Sequence, residues 1–228
     1  MEMGLRERKK EQTRQLLAET AWRLFADRGF DKVTVAEVAR QAQVAVATVF
    51  NYFPTKEDLF YYRLEAFGAR LVDAIASRPA GEPVLAAFRR RFMETGGLLA
   101  RVEAGDHQAL ERLRTVNRVI AASPALQARE QQALARTADA LGALLAAETG
   151  APADDPRPQV VANALVGVQR ALLDYTRRRV LADEEPARLA ADVRGLYQRA
   201  FELLEHGLGD YATKPARPTH APAAARGT

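Results

Sequence analysis

The chain contains no cysteine among its 228 residues. Disulfide bonds, thiolate metal sites and thiol catalysis are therefore excluded, and this composition is typical of a reducing compartment. The three histidines are His107, His206 and His220, and none of them forms the i, i+4 pair that binds zinc on a helix. A glycine-rich phosphate loop and a Ser/His/Asp set are also missing. The sequence predicts neither a metal nor a cofactor, and it favours a protein that is not an enzyme.

Long apolar runs are missing as well. No stretch approaches the roughly 18 apolar residues that a membrane-spanning helix needs, and the first residues lack the apolar core of a signal peptide. Lys and Arg number 33 against 29 Asp and Glu, so affinity for an acidic polymer must come from a local basic patch. With 48% hydrophobic residues, the chain can bury a real core. We expect a cytoplasmic protein that does not contact membranes.

The segment 34–60 carries the most informative pattern. Thr34 and Glu37 form a capping box, in which each residue can accept a hydrogen bond from the backbone N–H of the other. A short helix is therefore predicted from Val35, with Val38 and Ala39 on its apolar face.

A second short helix is predicted from about Ala45 to Tyr52, with Val49, Phe50 and Phe53 as its apolar side. Pro54 cannot continue a helix interior. A second capping signal, Thr55-Lys-Glu-Asp58, then opens a helix that we expect to run to about Ser77. The order of helix, tight turn and helix is that of a helix-turn-helix DNA-binding unit.

At these residues the chain resembles the DNA-binding domain of TetR-family transcriptional regulators. In that family a long first helix ends in Phe-x-x-x-Gly-Phe/Tyr, a Thr-capped helix follows, and the recognition helix closes with Tyr/Phe-x-Tyr/His-Phe-x-x-Lys. The matching residues are Phe25, Gly29, Phe30, Thr34, Ala39, Val44, Thr48, Phe50, Tyr52, Phe53, Lys56, Glu57 and Leu59. The match covers about a quarter of the chain, and beyond residue 65 the resemblance rests on helical organisation and length.

The resemblance implies an all-α protein in three parts. Residues 1–60 would form the helix-turn-helix DNA-binding domain, and residues 61–209 a helical effector-binding and dimerisation domain. The proline-rich residues 210–228 read as a disordered tail. Helix breaks are predicted at 78–81, near Gly105, at Ser123–Pro124, across 149–158 and at Glu185–Pro186.

The recognition helix departs from the family pattern, because Ala45, Val46 and Ala47 stand where a small or hydroxyl residue, a polar or basic one and glycine are common. We expect Thr48 and Asn51 to form hydrogen bonds with base edges, and Val46 or Ala47 to contact thymine methyl groups in the major groove. The predicted specificity is modest and sensitive to thymine.

Other side chains are expected to bind the DNA backbone. Tyr52 and Lys56 flank the proline turn, and the cap at Thr34 points N–H donors outward, where a phosphate could bind. A basic arm precedes the first helix at Arg8, Lys9 and Lys10, and by family resemblance it contacts DNA, although a solvated tail is the alternative.

Apolar residues of the same region are expected to form its core. In the first helix the predicted apolar stripe is Leu16, Leu17, Ala21, Leu24 and Phe25. The other predicted core residues are Phe30, Val38, Val49, Phe53 and Leu59.

The last two helices, predicted at about 159–181 and 187–207, carry more apolar surface than a one-sided helix needs. Small residues at Val160, Ala164, Gly167 and Ala171 form an adjacent stripe that permits close approach of another helix. By resemblance these two helices would form a homodimer, which would present two recognition helices to a pseudo-palindromic operator. A monomer core is the alternative.

By resemblance, the middle helices bind a small-molecule effector. The candidate ligand-binding residues are Phe92, Met93, Asn117, Ile120, Gln169 and Arg170. An apolar or acyl ligand is the expected class, because the second half is similar to regulators with effectors resembling acyl-CoA.

The preferred function is therefore a ligand-responsive repressor that binds double-stranded DNA. Two alternatives stay open at this point: an architectural DNA-binding protein without an effector, and a helical-bundle enzyme.

Overall fold

The computed structural model of the chain describes residues 5–94, 101–102, 104–182 and 184–205. Within these ranges the chain is α-helical, with no β-strand, so the predicted all-α fold class is confirmed. The helices are α1 (Leu5–Arg28), α2 (Val35–Gln41), α3 (Val46–Tyr52), α4 (Lys56–Ala76), α5 (Val84–Glu94), α6 (His107–Ala121), α7 (Pro124–Thr149), α8 (Arg157–Leu181) and α9 (Pro186–Glu205).

Both predicted capping boxes are present. The Thr34 backbone N–H donates to Glu37 Oε2 at 2.8 Å, and the Glu37 N–H donates to Thr34 Oγ1 at 3.2 Å. At the start of α4, Thr55 N–H donates to Asp58 Oδ2 at 2.9 Å, and Asp58 N–H donates to Thr55 Oγ1 at 3.2 Å. Each threonine cap contributes about 1 kcal/mol to stability, which fixes where α2 and α4 begin.

The two ends of α3 are determined by different residues. Ala45 stands at its N-cap and gives no side-chain hydrogen bond, as expected for a residue without a hydroxyl. At the other end Phe53 has an extended backbone, with φ −137° and ψ 101°, because the following Pro54 disfavours helical geometry in the residue before it.

The turn between α2 and α3 contains a left-handed residue. Gln43 has φ 58°, the only positive φ of a non-glycine residue in the described ranges. A left-handed backbone costs an L-residue roughly 1–2 kcal/mol, because Cβ comes too close to the following carbonyl oxygen. The turn therefore carries local strain.

Gln43→Gly is expected to raise the free energy of unfolding by up to about 1 kcal/mol, because glycine removes this strain while making the unfolded chain more flexible. Urea unfolding would measure the change. The control is Gln43→Ala, which keeps a Cβ and should leave stability nearly unchanged. Equal stability of the two variants would show that the backbone at Gln43 is not strained.

A first core cluster holds α1 to α4 together. The predicted core residues Phe25, Phe30, Val38, Val49, Phe53 and Leu59 are all buried in it. Two expectations were wrong: Leu16 is 46% exposed and Phe50 is 48% exposed. Each lies next to a buried residue, Leu17 or Val49, and successive helix residues point about 100° apart. Only one residue of each pair therefore packs into the core, and the other faces solvent.

The second half is built around the paired helices α7 and α8. The break predicted at Ser123–Pro124 is present: α7 begins at Pro124 and runs to Thr149, where Gly150 ends it with φ 61°. Arg177 on α8 binds Glu130 on α7 at 2.7 and 2.9 Å, with both side chains largely buried. A second core cluster, which includes Leu71, Phe88, Leu141, Leu165 and Phe201, joins these helices to α4, α5 and α9.

The corner between α6 and α7 packs onto the first core cluster. Val119, Ile120 and Leu126 are buried members of that cluster. Three polar contacts reinforce the junction: Ser123 Oγ to Asp31 Oδ1 at 2.8 Å, Tyr61 OH to the Leu126 carbonyl at 2.9 Å, and Arg129 Nη2 to Asp58 Oδ1 at 3.0 Å. Burial alone would raise the pKa of Asp58, but the hydrogen bonds from Thr55 and Arg129 outweigh it and lower the pKa.

Some predictions lie outside the described residues. These are the tail at 210–228, the end of the last helix beyond Glu205, and the Met93 side chain. None of the described helices is long and apolar enough to cross a bilayer.

Candidate nucleic-acid interface

The outward face of α3 is largely apolar. Val46, Ala47, Phe50 and Asn51 are exposed, and Thr48 is partly exposed. Val49 is fully buried and Phe53 is 3% exposed, so these two residues anchor the helix while the others face solvent. Because α3 contains no charged residue, its surface offers the Asn51 amide, the hydroxyls of Thr48 and Tyr52, and hydrocarbon to a partner.

Tyr52 lies at the end of α3 beside a basic side chain. Its ring is half-buried against the first core cluster, and the Arg14 guanidinium carbon lies 5.9 Å from the ring centroid. The same guanidinium lies 6.0 Å from the Tyr62 ring, and the Tyr62 hydroxyl binds Glu11. A phenol hydroxyl next to a guanidinium is suited to a phosphate oxygen.

Arg14 was missed by the sequence reasoning. The available signal is its spacing of four residues from Lys10, which places both side chains on one face of α1. The expectation of an arm before the first helix was wrong: Arg8, Lys9 and Lys10 are exposed but belong to α1 itself, which already begins at Leu5. The basic surface therefore runs along α1 towards Tyr52.

Lys56 occupies a different setting from the one expected for a free phosphate ligand. Its Nζ donates to the carbonyl oxygens of Phe30 at 3.1 Å and Val33 at 3.2 Å, and it lies 4.1 Å from the Phe30 ring centroid. An ammonium has three N–H donors, so one donor is left for a phosphate. The observed hydrogen bonds of Lys56 therefore stabilise the loop between α1 and α2.

Thr34 is similarly engaged in its own cap. Its N–H and its hydroxyl both donate to Glu37 Oε2, at 2.8 and 3.0 Å. The Thr34 backbone hydrogen bond, followed by that from Arg28, lowers the pKa of Glu37 to about 2. The carboxylate is therefore charged at neutral pH, and a phosphate would have to displace or share these donors.

Comparison with known proteins bears on what this surface binds. A family model described as bacterial regulatory proteins of the tetR family matches residues 17–62. A second model, described as the MftR C-terminal domain, matches residues 82–209, more than half of the chain. The chain belongs to the TetR family. This TetR-family protein is a DNA-binding transcriptional regulator with a helix-turn-helix, and its family acts in transcription rather than catalysis.

Individual relatives of the regulator agree with this assignment. It is 29% identical over 170 residues to the HTH-type transcriptional regulator TcmR of Streptomyces glaucescens, covering 73% of this chain and 74% of that protein. Over 46 residues it is 56% identical to the regulator LuxR of Vibrio harveyi, which covers 20% of this chain and 22% of that protein.

The fold of the regulator is also that of a solved structure. The crystal structure of NalD, the secondary repressor of the MexAB-OprM multidrug efflux pump in Pseudomonas aeruginosa, matches it with a TM-score of 0.52 and 19% identity. The match covers 84% of this chain and 96% of that chain.

The effector candidates of this TetR-family regulator do not converge on one described cavity. Phe92 stacks on Phe88 at 5.5 Å and lies 5.4 Å from the Tyr197 ring, whereas Ile120 belongs to the first core cluster. Arg170 is largely exposed and lies 4.0 Å from Asp174. None of the three lines either of two surface grooves that the described residues form.

Asn117 and Gln169 are the buried polar members of that set. Asn117 donates to the Leu113 carbonyl at 2.8 Å, so its amide nitrogen is satisfied within its own helix. Gln169 is 5% exposed, and its Oε1 has no hydrogen-bond partner among the described residues. An unsatisfied buried acceptor costs roughly 1–3 kcal/mol, so of these two candidates it is Gln169 that lacks a donor.

The small-residue stripe on α8 of the regulator is not covered by the other described helices of the protomer. Val160 is 62% exposed, and Ala164, Gly167 and Ala171 are exposed as well. A Cβ added at Gly167 would meet none of the described residues within 4 Å. On α9, Leu203 is 40% exposed, whereas Phe201 is fully buried.

Proposed function

We propose that the protein is a repressor that binds a pseudo-palindromic operator as a homodimer in the cytoplasm and is released by a small apolar or acyl ligand. Residues 1–60 serve as the DNA-binding domain and 61–209 as the effector-binding and dimerisation domain. The observation that carries the proposal is the exposed face of α3, which is anchored from behind by Val49 and Phe53.

In this proposal α3 enters the major groove. Thr48 and Asn51 form hydrogen bonds with base edges, while Val46 and Ala47 contact thymine methyl groups. The backbone contacts come from Arg8, Lys9, Lys10 and Tyr52. Lys56 contributes its third N–H donor, and Thr34 shares with the phosphate the N–H and hydroxyl that also donate to Glu37. Arg14 joins this set because it lies beside Tyr52. Phosphate contacts of this kind position a protein without reading sequence.

Selection of bound sequences from random duplexes, followed by binding assays at several salt concentrations, tests the DNA-binding half. We expect one pseudo-palindromic sequence and steeply salt-dependent affinity. Lys9→Ala and Lys10→Ala should each reduce the salt slope by about 1 and weaken all sequences equally.

The control for this charge change is Arg112→Ala, which removes an exposed arginine on α6, outside the proposed DNA-binding and dimer surfaces, and should leave the slope unchanged. Binding without sequence preference would favour an architectural protein instead. Loss of slope in the Arg112 control would show that overall charge, not the basic residues of α1, sets the affinity.

The dimer in this proposal forms through α8 and α9. Its support is the uncovered surface formed by Val160, Ala164, Gly167 and Leu203, together with the dimeric action of TetR regulators. A twofold interface brings the same patch of each protomer together, so the stripe on α8 would face its own counterpart.

The effector in this proposal acts through the corner between α6 and α7. That corner is tied to the DNA-binding unit by the contacts of Ser123 with Asp31, Tyr61 with Leu126, and Arg129 with Asp58. A ligand that moves α6 or α7 would therefore also move α4, which carries Asp58 and Tyr61 and directly follows α3. Coupled changes of this kind alter the spacing of two recognition helices.

The selected operator also serves as the probe for the effector. Fatty acyl-CoA thioesters and free aliphatic acids are expected to reduce operator affinity by roughly 5- to 150-fold, the usual range of coupling between sites. Release of the operator by small polar compounds alone would contradict the proposed apolar or acyl class of effector.

A further inference from the structure

Phe50 leaves an unusual amount of aromatic surface in water. Its side chain is 48% exposed, although it stands on a short helix whose neighbours Val49 and Phe53 are buried. Large aromatic side chains lie in water only at a cost, and exposed apolar surface of this kind commonly marks a binding surface.

Phe50 belongs to a continuous apolar surface. Val46 is one helical turn before it and is 41% exposed, and Ala47, three residues before it, is exposed too. Residues spaced by three and four share one helix face. We call Val46, Ala47 and Phe50 the methyl-reading surface, for the reason given next.

The chemistry of duplex DNA limits what such a surface can contact. A phenyl ring has no donor for a phosphate oxygen or for a base acceptor. In the major groove the apolar group on a base edge is the C5-methyl of thymine, and 5-methylcytosine carries a methyl group at the same ring position.

We propose that Phe50 is a specificity-determining residue that reads the C5-methyl group of pyrimidines, so that 5-methylcytosine as well as thymine is recognised at the contacted position. The inference rests on the proposed function, in which α3 enters the major groove. It goes beyond that function by assigning the dominant methyl contact to Phe50 and by making binding sensitive to cytosine methylation.

The first test replaces single thymines of one operator half-site with deoxyuridine, which removes only the methyl group. For the wild type we expect about fourfold weaker binding at the contacted thymine, the loss from one buried methyl group. Phe50→Ala should bind the thymine and deoxyuridine duplexes equally. Lys10→Ala is the matched control, since it should weaken both duplexes while keeping the fourfold ratio.

The second test places cytosine or 5-methylcytosine, each paired with guanine, at that position. The wild type should bind the methylated duplex about fourfold more tightly, and Phe50→Ala should not distinguish the two. This comparison varies one methyl group and no hydrogen-bonding group.

The outcomes separate the inference from the proposed function. Equal wild-type affinity for thymine and deoxyuridine at every position would overturn the methyl reading while DNA binding stands. Discrimination that persists in Phe50→Ala would overturn the role of Phe50 and assign the methyl contact to another residue. Absence of salt-dependent binding to any duplex would overturn the proposed reading by α3 as well.

Discussion

Phe25→Ala is expected to lower the free energy of unfolding by about 3–5 kcal/mol, the usual cost of removing a buried phenylalanine ring. Phe25 is fully buried, and its ring centroid lies 5.0 Å from that of Phe30 and 6.2 Å from that of Phe60. Because a domain is stable by only about 5–15 kcal/mol in total, the DNA-binding unit should lose its structure at moderate temperature. Urea unfolding followed by circular dichroism, combined with operator binding, would measure both effects.

Phe50→Ala is the matched control, because it makes the same chemical change at an exposed position. Its free energy of unfolding should stay within about 0.5 kcal/mol of the wild type, while its operator binding falls. The pair thus separates loss of fold from loss of DNA contact. A small stability loss at Phe25, comparable to that at Phe50, would contradict the described core.

Local signals explain which parts of the fold could be predicted. The capping boxes at Thr34 and Thr55 each depend on residues three positions apart, so the starts of α2 and α4 follow from the sequence alone. At the start of α7 the local signal is Pro124, whereas the Ser123 hydroxyl forms no cap hydrogen bond and donates to Asp31 instead. The family motif added the order of these elements in the DNA-binding unit.

The direction of individual side chains was harder to predict. Phe50 and Leu16 are as hydrophobic as their buried neighbours, so composition cannot tell which one faces the core. Lys56 donates to the carbonyl oxygens of Phe30 and Val33, which are 26 and 23 residues away in the sequence. No local pattern shows that the chain brings these residues together.

The candidate effector site shows the same limit over longer distances. Ile120 belongs to the core of the DNA-binding unit because α6 packs back onto α1, a contact that hydrophobic periodicity cannot reveal. Gln169 could be recognised as polar on an apolar helix, but its unpaired oxygen depends on how α8 packs on its neighbours. The assignment of these residues to a ligand therefore stays a prediction.

Gly167→Glu is expected to split the proposed dimer and to reduce operator affinity by roughly 100-fold or more, because two linked half-sites gain at least that factor over one. Within the described part of one protomer the position is open, since a Cβ there meets no atom within 4 Å. Replacing a helical glycine should even stabilise the isolated helix by several tenths of a kcal/mol. In a twofold interface, by contrast, the substitution brings the new carboxylate of one protomer close to the new carboxylate of its partner, and the two negative charges repel each other.

Sedimentation velocity at micromolar concentration distinguishes the cases, since the protomer has a mass of 25.1 kDa and a dimer would have twice that mass. The control is Ala140→Glu, which adds the same charge at an exposed position on α7, outside the proposed interface, and should leave the dimer intact. A Gly167→Glu protein that still sediments as a dimer would exclude this part of α8 from the interface. A wild-type protein that sediments only at 25.1 kDa would contradict the proposed dimer, and each protomer would then bind its half-site independently.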